Sequence, residues 1–234
     1  MAIQQYNTAL LLFSRRSEEE SLAKNFLPYG SAGKNKALTQ KIIERSILLA
    51  KNSGLPFFVW DEKLQHGDCF GERLANAIAA VFEKGFEKIV VIGNDCLTLN
   101  SVHIHQAVVA LQSHEYVLAP TKKGGTYLIG LTQNNFNYKA FTSIRWQSSF
   151  VYNDLQELFL FSVFQLPLQD DVNNFEDLRK QVSLLIKADA LRMYVVSIVA
   201  SIKKYFPVFT NRIATFIFRF LFGLKAPPVF SFPL

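Results

Sequence analysis

The segment KIVVIGNDCLTLNS, residues 88–101, joins a run of aliphatic residues to a polar turn. Its first five residues have the composition of a strand that is buried on both faces. The run is followed at once by Gly93, Asn94 and Asp95. A carboxylate in this place can cap the next turn, or it can hold a divalent cation that also touches phosphate oxygens. The segment alone leaves both interpretations open.

Short apolar runs and longer helical patterns alternate on both sides of this segment. We predict strands at residues 9–13, 55–60, 88–93, 116–120, 126–131 and 163–168. We predict a helix that begins at Ser17, with Glu20 completing a capping box, and further helices at residues 36–52, 70–84, 102–112, 149–159 and 175–187. Strands separated by helices require crossover connections, so the fold should be three-layer α/β with a mixed, mostly parallel sheet. Ligands of such folds bind beyond the carboxyl ends of the strands, where Asp95 lies.

Charge is distributed unevenly along the 234 residues, whose net charge is +6. Residues 1–189 carry 19 basic and 19 acidic side chains, whereas residues 190–234 carry six basic and no acidic ones. The same tail holds eight of the 22 phenylalanines. A basic surface rich in aromatic side chains suits an anionic membrane better than a nucleic acid, so we predict no nucleic-acid partner.

The tail has the pattern of two helices, residues 191–206 and 208–224, separated by Pro207. Neither contains an uncharged run long enough to span a bilayer. We predict that residues 189–234 form a hydrophobic helical extension of a domain that covers residues 1–188. The extension would lie on a membrane surface, pack against the body or contact a second copy of the chain.

Cysteine content and the first residues bear on the compartment. Cys69 and Cys96 are too few for a disulfide framework and are not spaced as a zinc or redox pair. Arginines follow the first apolar run instead of preceding it, which is the reverse of the order in a secretory signal. We therefore expect a cytoplasmic protein, with the inner membrane surface as the place where its tail would bind.

Two further segments have polar residues next to a predicted strand or helix. TKKGGTYLIG, residues 121–130, places Gly124 and Gly125 before a strand, which is typical of a hairpin turn or of close backbone approach to a ligand. QDDVNNFEDL, residues 169–178, places Asp170 and Asp171 before a helix, where they can act as a cap or as oxygen ligands.

Five segments follow one another in the chain: Gly67-Asp68-x-x-Gly71-Glu72-Arg73-Leu74-Ala75-Asn76-Ala77, Gly93–Cys96, Gly124–Leu131, Trp146–Ser149 and Asp171–Leu178. In this order and spacing they resemble an uncharacterised bacterial family of glycosyltransferase-like proteins. That family is related to the nucleotide-diphospho-sugar transferases with the GT-A fold, and more distantly to molybdenum-cofactor and phospholactate guanylyltransferases. The resemblance covers about residues 8–187 and leaves the tail out.

The resemblance implies a glycosyl- or nucleotidyltransferase that binds a nucleotide or nucleotide-sugar together with Mg²⁺ or Mn²⁺. By position, Asp95 and Asp171 would be the catalytic acids, and Asp95 and Asn173 would hold the metal ion. The residues implied to contact the nucleotide or the sugar are Gly93, Asn94, Arg73, Gly124, Gly125, Trp146, Ser148 and Ser149. For Arg73 a surface ion pair is the alternative, and for Trp146 a place in the core.

The sequence departs from the family pattern at three places. Residues 14–20 contain no glycine and three consecutive acids, where relatives have a glycine-containing loop with a basic residue. Lys123 and Asn173 each stand where the family has an aspartate. An asparagine brings no charge to a cation, so metal affinity should be lower. The alternative function is therefore a binding or scaffold protein that keeps the GT-A-like fold without the chemistry.

Overall fold

The computed structural model describes residues 7–27, 31–159 and 163–205. The strands within these ranges form one sheet and are β1 (Thr8–Phe13), β2 (Phe57–Trp60), β3 (Lys88–Ile92), β4 (Tyr116–Pro120), β5 (Thr126–Thr132) and β6 (Val163–Gln165). The α-helices in the same ranges are α1 (Ser17–Ala23), α2 (Ala32–Asn52), α3 (Phe70–Phe82), α4 (Ser101–Ala110), α5 (Tyr138–Thr142), α6 (Val151–Phe159), α7 (Phe175–Leu184) and α8 (Ala190–Tyr205).

The six strands lie in the order β2-β1-β3-β5-β4-β6. β5 is antiparallel to both of its neighbours, and all other pairs are parallel. The first residues of β5 therefore lie at the edge where β3 and β4 end, with Leu128 opposite Ile92 and Thr126 opposite Pro120. The loops after β1 and β3 and the β4–β5 hairpin consequently meet at one edge of the sheet.

Side chains of β1 alternate between the two faces of the sheet and are all buried. Leu11 packs in the apolar layer that contains α3, α5 and α6. Leu10 and Leu12 pack in the opposite layer, which contains α4 and the end of α2. Each fully buried leucine stabilises the fold by roughly 2 kcal/mol. The three-layer α/β fold expected from the sequence is thus confirmed.

A third apolar cluster joins α8 to the body. Leu191 and Val195 of α8 are buried in the same cluster as Leu38 and Ile42 of α2 and Leu178 of α7. The first turns of α8 therefore complete a core, although they lie on the tail side of the predicted domain boundary, which stays a prediction. The second predicted tail helix lies outside the described residues. Among the helices that are described, none is long and apolar enough to cross a bilayer.

The local predictions differ in outcome. All six predicted strands are present. The capping box predicted for Ser17 and Glu20 is wrong, because α1 begins after Arg16 without a side-chain cap and Glu20 pairs with Lys24 at 3.0 Å instead. A charged partner holds a carboxylate more strongly than a neutral backbone N–H does. Helix α5 is absent from the prediction, since five residues carry too little periodicity to indicate a helix.

Candidate functional site

A cavity of about 900 Å³ opens at the edge of the sheet where β1 and β3 end. Its wall is formed by parts of residues 13–24, 62–74, 91–96, 121–129, 146–151 and 171–173. The parallel strands bring the first and third of these segments together, and the antiparallel β5 adds the β4–β5 hairpin. The segments named in the sequence analysis therefore converge on one cavity.

Asp95 follows β3 and reaches the cavity with 44% of its side chain exposed. Its carboxylate pairs with the ammonium group of Lys24, which follows α1. Lys24 is 16% exposed and also contacts Glu20 at 3.0 Å. Burial alone would lower the pKa of Lys24, but the charges and hydrogen bonds of Asp95 and Glu20 outweigh it, and the pKa is raised. Lys24 is therefore a fixed positive charge in the cavity wall.

The loop that carries Asp171 lies beside the loop that carries Asp95, because a backbone hydrogen bond joins them. The N–H of Val172 donates to the carbonyl of Asp95 at 2.8 Å. The Oδ2 atom of Asp171 accepts a hydrogen bond from the side-chain amide of Asn173 at 2.7 Å. Its Oδ1 atom is buried and has no hydrogen-bond partner. Asn173 therefore helps to orient Asp171, and its role as a metal ligand stays a prediction.

Two side chains from neighbouring helices hold these loops in position. Gln181 of α7 is fully buried; it accepts from the N–H of Leu97 at 2.7 Å and donates to the carbonyl of Asp170 at 2.6 Å. Arg45 of α2 donates to the carbonyl of Leu97 at 3.0 and 3.3 Å and pairs with Asp189. The loops that carry the two acids are thus fixed by long-range hydrogen bonds.

Lys123 has a structural partner. It pairs with Asp177 at 2.6 Å, and the backbone N–H of Asn173 donates to the same carboxylate at 3.1 Å. Burial would raise the pKa of Asp177, but the hydrogen bonds from Lys123 and Asn173 and the charge of Lys123 outweigh it, and the pKa is lowered. Lys123 therefore joins the β4–β5 hairpin to the start of α7.

Two arginines add positive charge to the cavity. Arg73, in the first turn of α3, is half-buried in the wall. Within the described part of the chain it has no acidic partner and no side-chain hydrogen bond, so the surface ion pair considered for it is not observed. Arg15 lies 3.7 Å from Glu20. A half-buried guanidinium without an acidic partner is suited to bind a phosphate group.

Trp146 and Ser148 line the cavity but use their polar groups internally. The indole N–H of Trp146 donates to the carbonyl of Phe141 at 2.9 Å, and its ring lies against Gly71, where a Cβ would be only 2.6 Å away. The hydroxyl of Ser148 donates to the carbonyl of Arg145 at 2.5 Å. Trp146 is therefore part of the core with one side toward the cavity, and Ser148 closes a turn.

The remaining predicted residues divide into two groups. Gly93, Asn94 and Gly125 line the cavity, and Asn94 is buried there. Gly124 and Ser149 do not line it, because they contact each other. Gly124 has a φ of 81°, and a Cβ on it would lie 2.0 Å from the carbonyl oxygen of Ser149. The close approach that requires this glycine is thus to the protein's own backbone.

Lys24, Gln147 and Gln181 are the residues of this site that sequence reasoning missed. The spacing of Lys24 from Glu20 indicates a helical ion pair, but nothing in the sequence points to Asp95, 71 residues away. Gln181 carries no motif. Gln147 lies inside a quoted motif, and its signal is structural: it lines the cavity with a φ of 61°.

The carboxylates of the cavity fit a divalent cation whose remaining ligands are supplied by a phosphate group. In the ranges that the structure describes, no three His, Cys, Asp or Glu side chains are grouped to hold a metal ion. Asp95 and Asp171 supply two carboxylates, and the buried Oδ1 of Asp171 is an oxygen that a cation would satisfy. Mg²⁺ in proteins is commonly held by one or two carboxylates, with waters and phosphate oxygens as the other ligands.

Comparison with known proteins finds a family model that matches part of the chain and a solved structure with the same fold. Residues 57–148 match the model of a family described as an uncharacterized protein conserved in bacteria (DUF2064). A candidate nucleotide-diphospho-sugar transferase from Desulfovibrio desulfuricans G20 superposes with a TM-score of 0.75 at 20% identity, over 86% of this chain and 99% of that chain. No curated protein matches the sequence.

Two other solved structures are similar at TM-scores too low to support an argument. One is a Mycobacterium tuberculosis H37Rv protein in complex with manganese, with a TM-score of 0.40 at 15% identity over 74% of this chain and 96% of that chain. The other is a cytidylyltransferase from Leptospira borgpetersenii, with a TM-score of 0.42 at 15% identity over 88% and 98%. The resemblance carried by the motifs is confirmed by the family model and the Desulfovibrio structure: residues 57–148 match a bacterial family, and the chain shares the fold of that structure.

Proposed function

We propose that the protein is a transferase that acts on a nucleotide-activated substrate, as a glycosyl- or nucleotidyltransferase, with Mg²⁺ or Mn²⁺. One observation carries the proposal: the hydrogen bond from Val172 to Asp95 brings Asp171 to the cavity with its Oδ1 buried and without a partner. An unsatisfied carboxylate oxygen is costly unless a ligand completes it. A divalent cation bound with the substrate is the ligand that suits two carboxylates lining the same cavity.

The residues of the cavity wall would have separate roles in binding the metal ion and the substrate. Asp95 and Asp171 hold the cation, which when bound neutralises charge on the leaving phosphate. Lys24 and Arg73 contact phosphate oxygens, because both cations line the cavity. Gly93 lets the backbone approach the ligand closely. Asn173 keeps Asp171 oriented through its 2.7 Å hydrogen bond.

A binding or scaffold protein without catalysis is the second candidate. It is favoured by the ion pairs at Lys24, since Asp95 and Glu20 both contact that ammonium group before any ligand is present. A cation at Asp95 or a phosphate at Lys24 competes with these contacts for the same charged groups. If weakening these contacts costs more free energy than ligand binding provides, the cavity binds no ligand.

A thermal-shift panel of nucleoside diphosphates, nucleoside triphosphates and nucleotide sugars, with and without Mn²⁺, separates the candidates. A ligand present at 100 times its Kd stabilises the native state by about 2.7 kcal/mol, which raises Tm. We expect a Tm increase that needs Mn²⁺ and that Asp171→Asn abolishes. If no member of the panel at millimolar concentration shifts Tm, the transferase proposal fails.

The same panel tests the asparagine in the second loop. Asn173→Asp should increase the Tm shift that depends on Mn²⁺. It adds a negative charge beside Asp171 and removes the amide group that donates a hydrogen bond to the Asp171 carboxylate. Asn174→Asp adds the same charge one residue away and keeps an N-cap, so it is the matched control. Equal effects of the two variants would contradict a metal site at Asp171.

For the tail we propose peripheral contact with an anionic membrane surface, with a second copy of the chain as the alternative partner. The supporting observation is that three large apolar side chains near the start of α8, Leu184, Ile186 and Met193, are exposed. The segment 190–234 has six basic residues and no acid. Exposed apolar side chains in or just before a segment rich in basic residues suit a membrane of anionic lipids. We propose with it a cytoplasmic location, at the inner membrane surface.

A further inference from the structure

Gln147 has a backbone conformation that side chains rarely adopt. Its φ is 61°, and it is the one residue other than glycine with a positive φ in the described part of the chain. Such a conformation persists only where the surrounding structure enforces it, and it is common where a side chain must be aimed at a ligand.

The residues on both sides of Gln147 are held firmly. Asp154 of α6 accepts hydrogen bonds from the backbone N–H and the Nε of Arg145, each at 2.9 Å. The guanidinium of Arg145 lies 4.1 Å from the centre of the Phe150 ring. Ser148 donates to the carbonyl of Arg145 and accepts from the N–H of Phe150 at 3.1 Å. These contacts fix the turn 145–150 and so enforce the conformation of Gln147.

Within this turn, Gln147 alone has a polar group to offer to the cavity. Trp146 and Ser148 also line the cavity, but their N–H and O–H groups are bound to backbone carbonyls. The side chain of Gln147 has no hydrogen bond within the described residues, and it is exposed at the cavity rim. A carboxamide in this place can donate and accept at the same time.

We propose that Gln147 determines specificity for the sugar part of a nucleotide-sugar, through hydrogen bonds to adjacent hydroxyl groups. The proposal rests on the proposed function and names the ligand group that this part of the cavity binds. Each hydroxyl both donates and accepts, so a carboxamide pairs with two neighbouring hydroxyls. The rings of Trp146 and Phe70, 5.6 Å apart, give the apolar faces of the same wall.

The exposure of Gln147 favours a sugar over a nucleobase at this position. A flat base with large apolar faces is bound best where it is enclosed. A sugar keeps part of its hydration and is bound well at a wet rim, where waters complete its hydrogen bonds. The rim at Gln147 and Ser148 has this open character.

Calorimetry with two matched pairs of probes tests the proposal: UDP and UDP-glucose, and GDP and GDP-mannose, all with Mn²⁺. The full chain is compared with Gln147→Gly, Gln147→Asn and the control Gln156→Ala, whose glutamine is exposed on α6. Gln147→Gly should lower affinity for the preferred nucleotide-sugar about tenfold, the effect of losing one or two hydrogen bonds. Affinity for the parent diphosphate should change less than about twofold. The affinity of Gln147→Asn for the nucleotide-sugar should lie between those of the parent and Gln147→Gly, because asparagine keeps a carboxamide on a shorter side chain.

The stability of the same variants separates binding from folding. Glycine adopts positive φ freely, so Gln147→Gly should raise Tm, by about 2–4 °C for a chain of this size, while it weakens sugar binding. Unchanged discrimination between nucleotide-sugar and diphosphate would overturn the inference and leave the proposed function standing. Equal weakening of both probes would place Gln147 at the nucleotide and overturn the assignment to sugar. If the full chain binds none of the four probes, the inference fails for these nucleotide-sugars, and the thermal-shift panel decides the proposed function separately.

Discussion

At the scale of single residues, Lys24 determines the charges of the site. Its ammonium group balances Asp95, which is 44% exposed, and Glu20, whose side chain is only 7% exposed. A carboxylate as deeply buried as Glu20 is costly to keep charged without a partner. Of the three acids at residues 18–20, Glu20 is therefore held by Lys24, and the same lysine pairs with Asp95.

Replacing this lysine should have opposite effects on stability and on metal binding. Lys24→Met is expected to lower the free energy of unfolding by roughly 2–4 kcal/mol, because Glu20 loses its nearest cation and keeps only the more distant Arg15. The variant should bind Mn²⁺ roughly fivefold more tightly, since no ammonium group competes for Asp95. Denaturant unfolding measures the first effect and calorimetry the second.

Lys36→Met is the matched control for this prediction. It breaks the exposed ion pair between Lys36 and Glu18, and it should change both quantities little. Weaker Mn²⁺ binding by Lys24→Met would show that Lys24 does not compete with a cation.

The site residues differ in whether the sequence alone can identify them. Asp95 and Asp171 stand next to a strand or a helix within recognisable motifs, so local pattern is enough to select them. Lys24 and Gln181 act through partners that are 71 and 84 residues away, and no local pattern reports such a contact. Gln147 is identified by its φ angle, which no sequence pattern indicates, because contacts such as that between Arg145 and Asp154 hold the turn.

At the scale of secondary structure, the hydrophobic pattern was sufficient to predict the strands of the sheet. The strands β1, β3 and β5 are buried on both faces and read as continuous apolar runs. The antiparallel direction of β5 follows from the short hairpin after β4, whose glycine at 124 has a φ of 81°. Helix α5 and the turn 145–150 have no such periodicity, because they are set by tertiary contacts.

The ion pair between Arg145 and Asp154 joins that turn to α6 and should make stability depend on pH. The side-chain and backbone hydrogen bonds of Arg145 lower the pKa of Asp154 to about 2. An aspartate in the unfolded chain has a pKa of about 3.9. The folded value is the lower one, so the pair stabilises the fold above pH 4, and this contribution is lost as pH falls from about 4 through about 2.

Asp154→Asn removes the titrating group and tests the assignment. Urea unfolding of both proteins should show a stability difference at pH 5 that shrinks toward pH 2, because only the parent loses the ion pair. Other carboxylates titrate in the same range, but they do so in both proteins and cancel in the difference. A difference that stays constant from pH 5 to pH 2 would contradict the assignment.

At the scale of the whole molecule, α8 is both part of the core and the start of the tail. Two truncations separate these roles. A chain that ends at Tyr205 keeps Leu191 and Val195 in the third apolar cluster, so its Tm should stay close to that of the full chain. A chain that ends at Asp189 exposes Leu38 and Ile42, and it should aggregate or melt at a lower temperature.

Sedimentation with vesicles of anionic lipid measures the tail's contribution. The full chain should sediment with the vesicles, and less so at high salt, because salt screens the attraction of the basic residues. The chain that ends at Tyr205 should sediment far less. Equal sedimentation of the two chains would refute the membrane proposal, and a concentration-dependent dimer formed only by the full chain would favour the second copy as the partner.

The hydrogen bonds from Arg45 and Gln181 to Leu97 also set the order in which the molecule can be completed during synthesis. The loop after β3 leaves the ribosome long before Gln181 and Asp189 exist to support it. At 5–20 residues per second the intervening chain takes roughly 5–20 s to make. Throughout that interval the nascent protein has Asp95 and Arg45 but neither Gln181 nor Asp189, so the loop lacks part of its support. The site is therefore among the last parts of the protein to form, and any ligand that needs the completed site can bind only after most of the chain has been made.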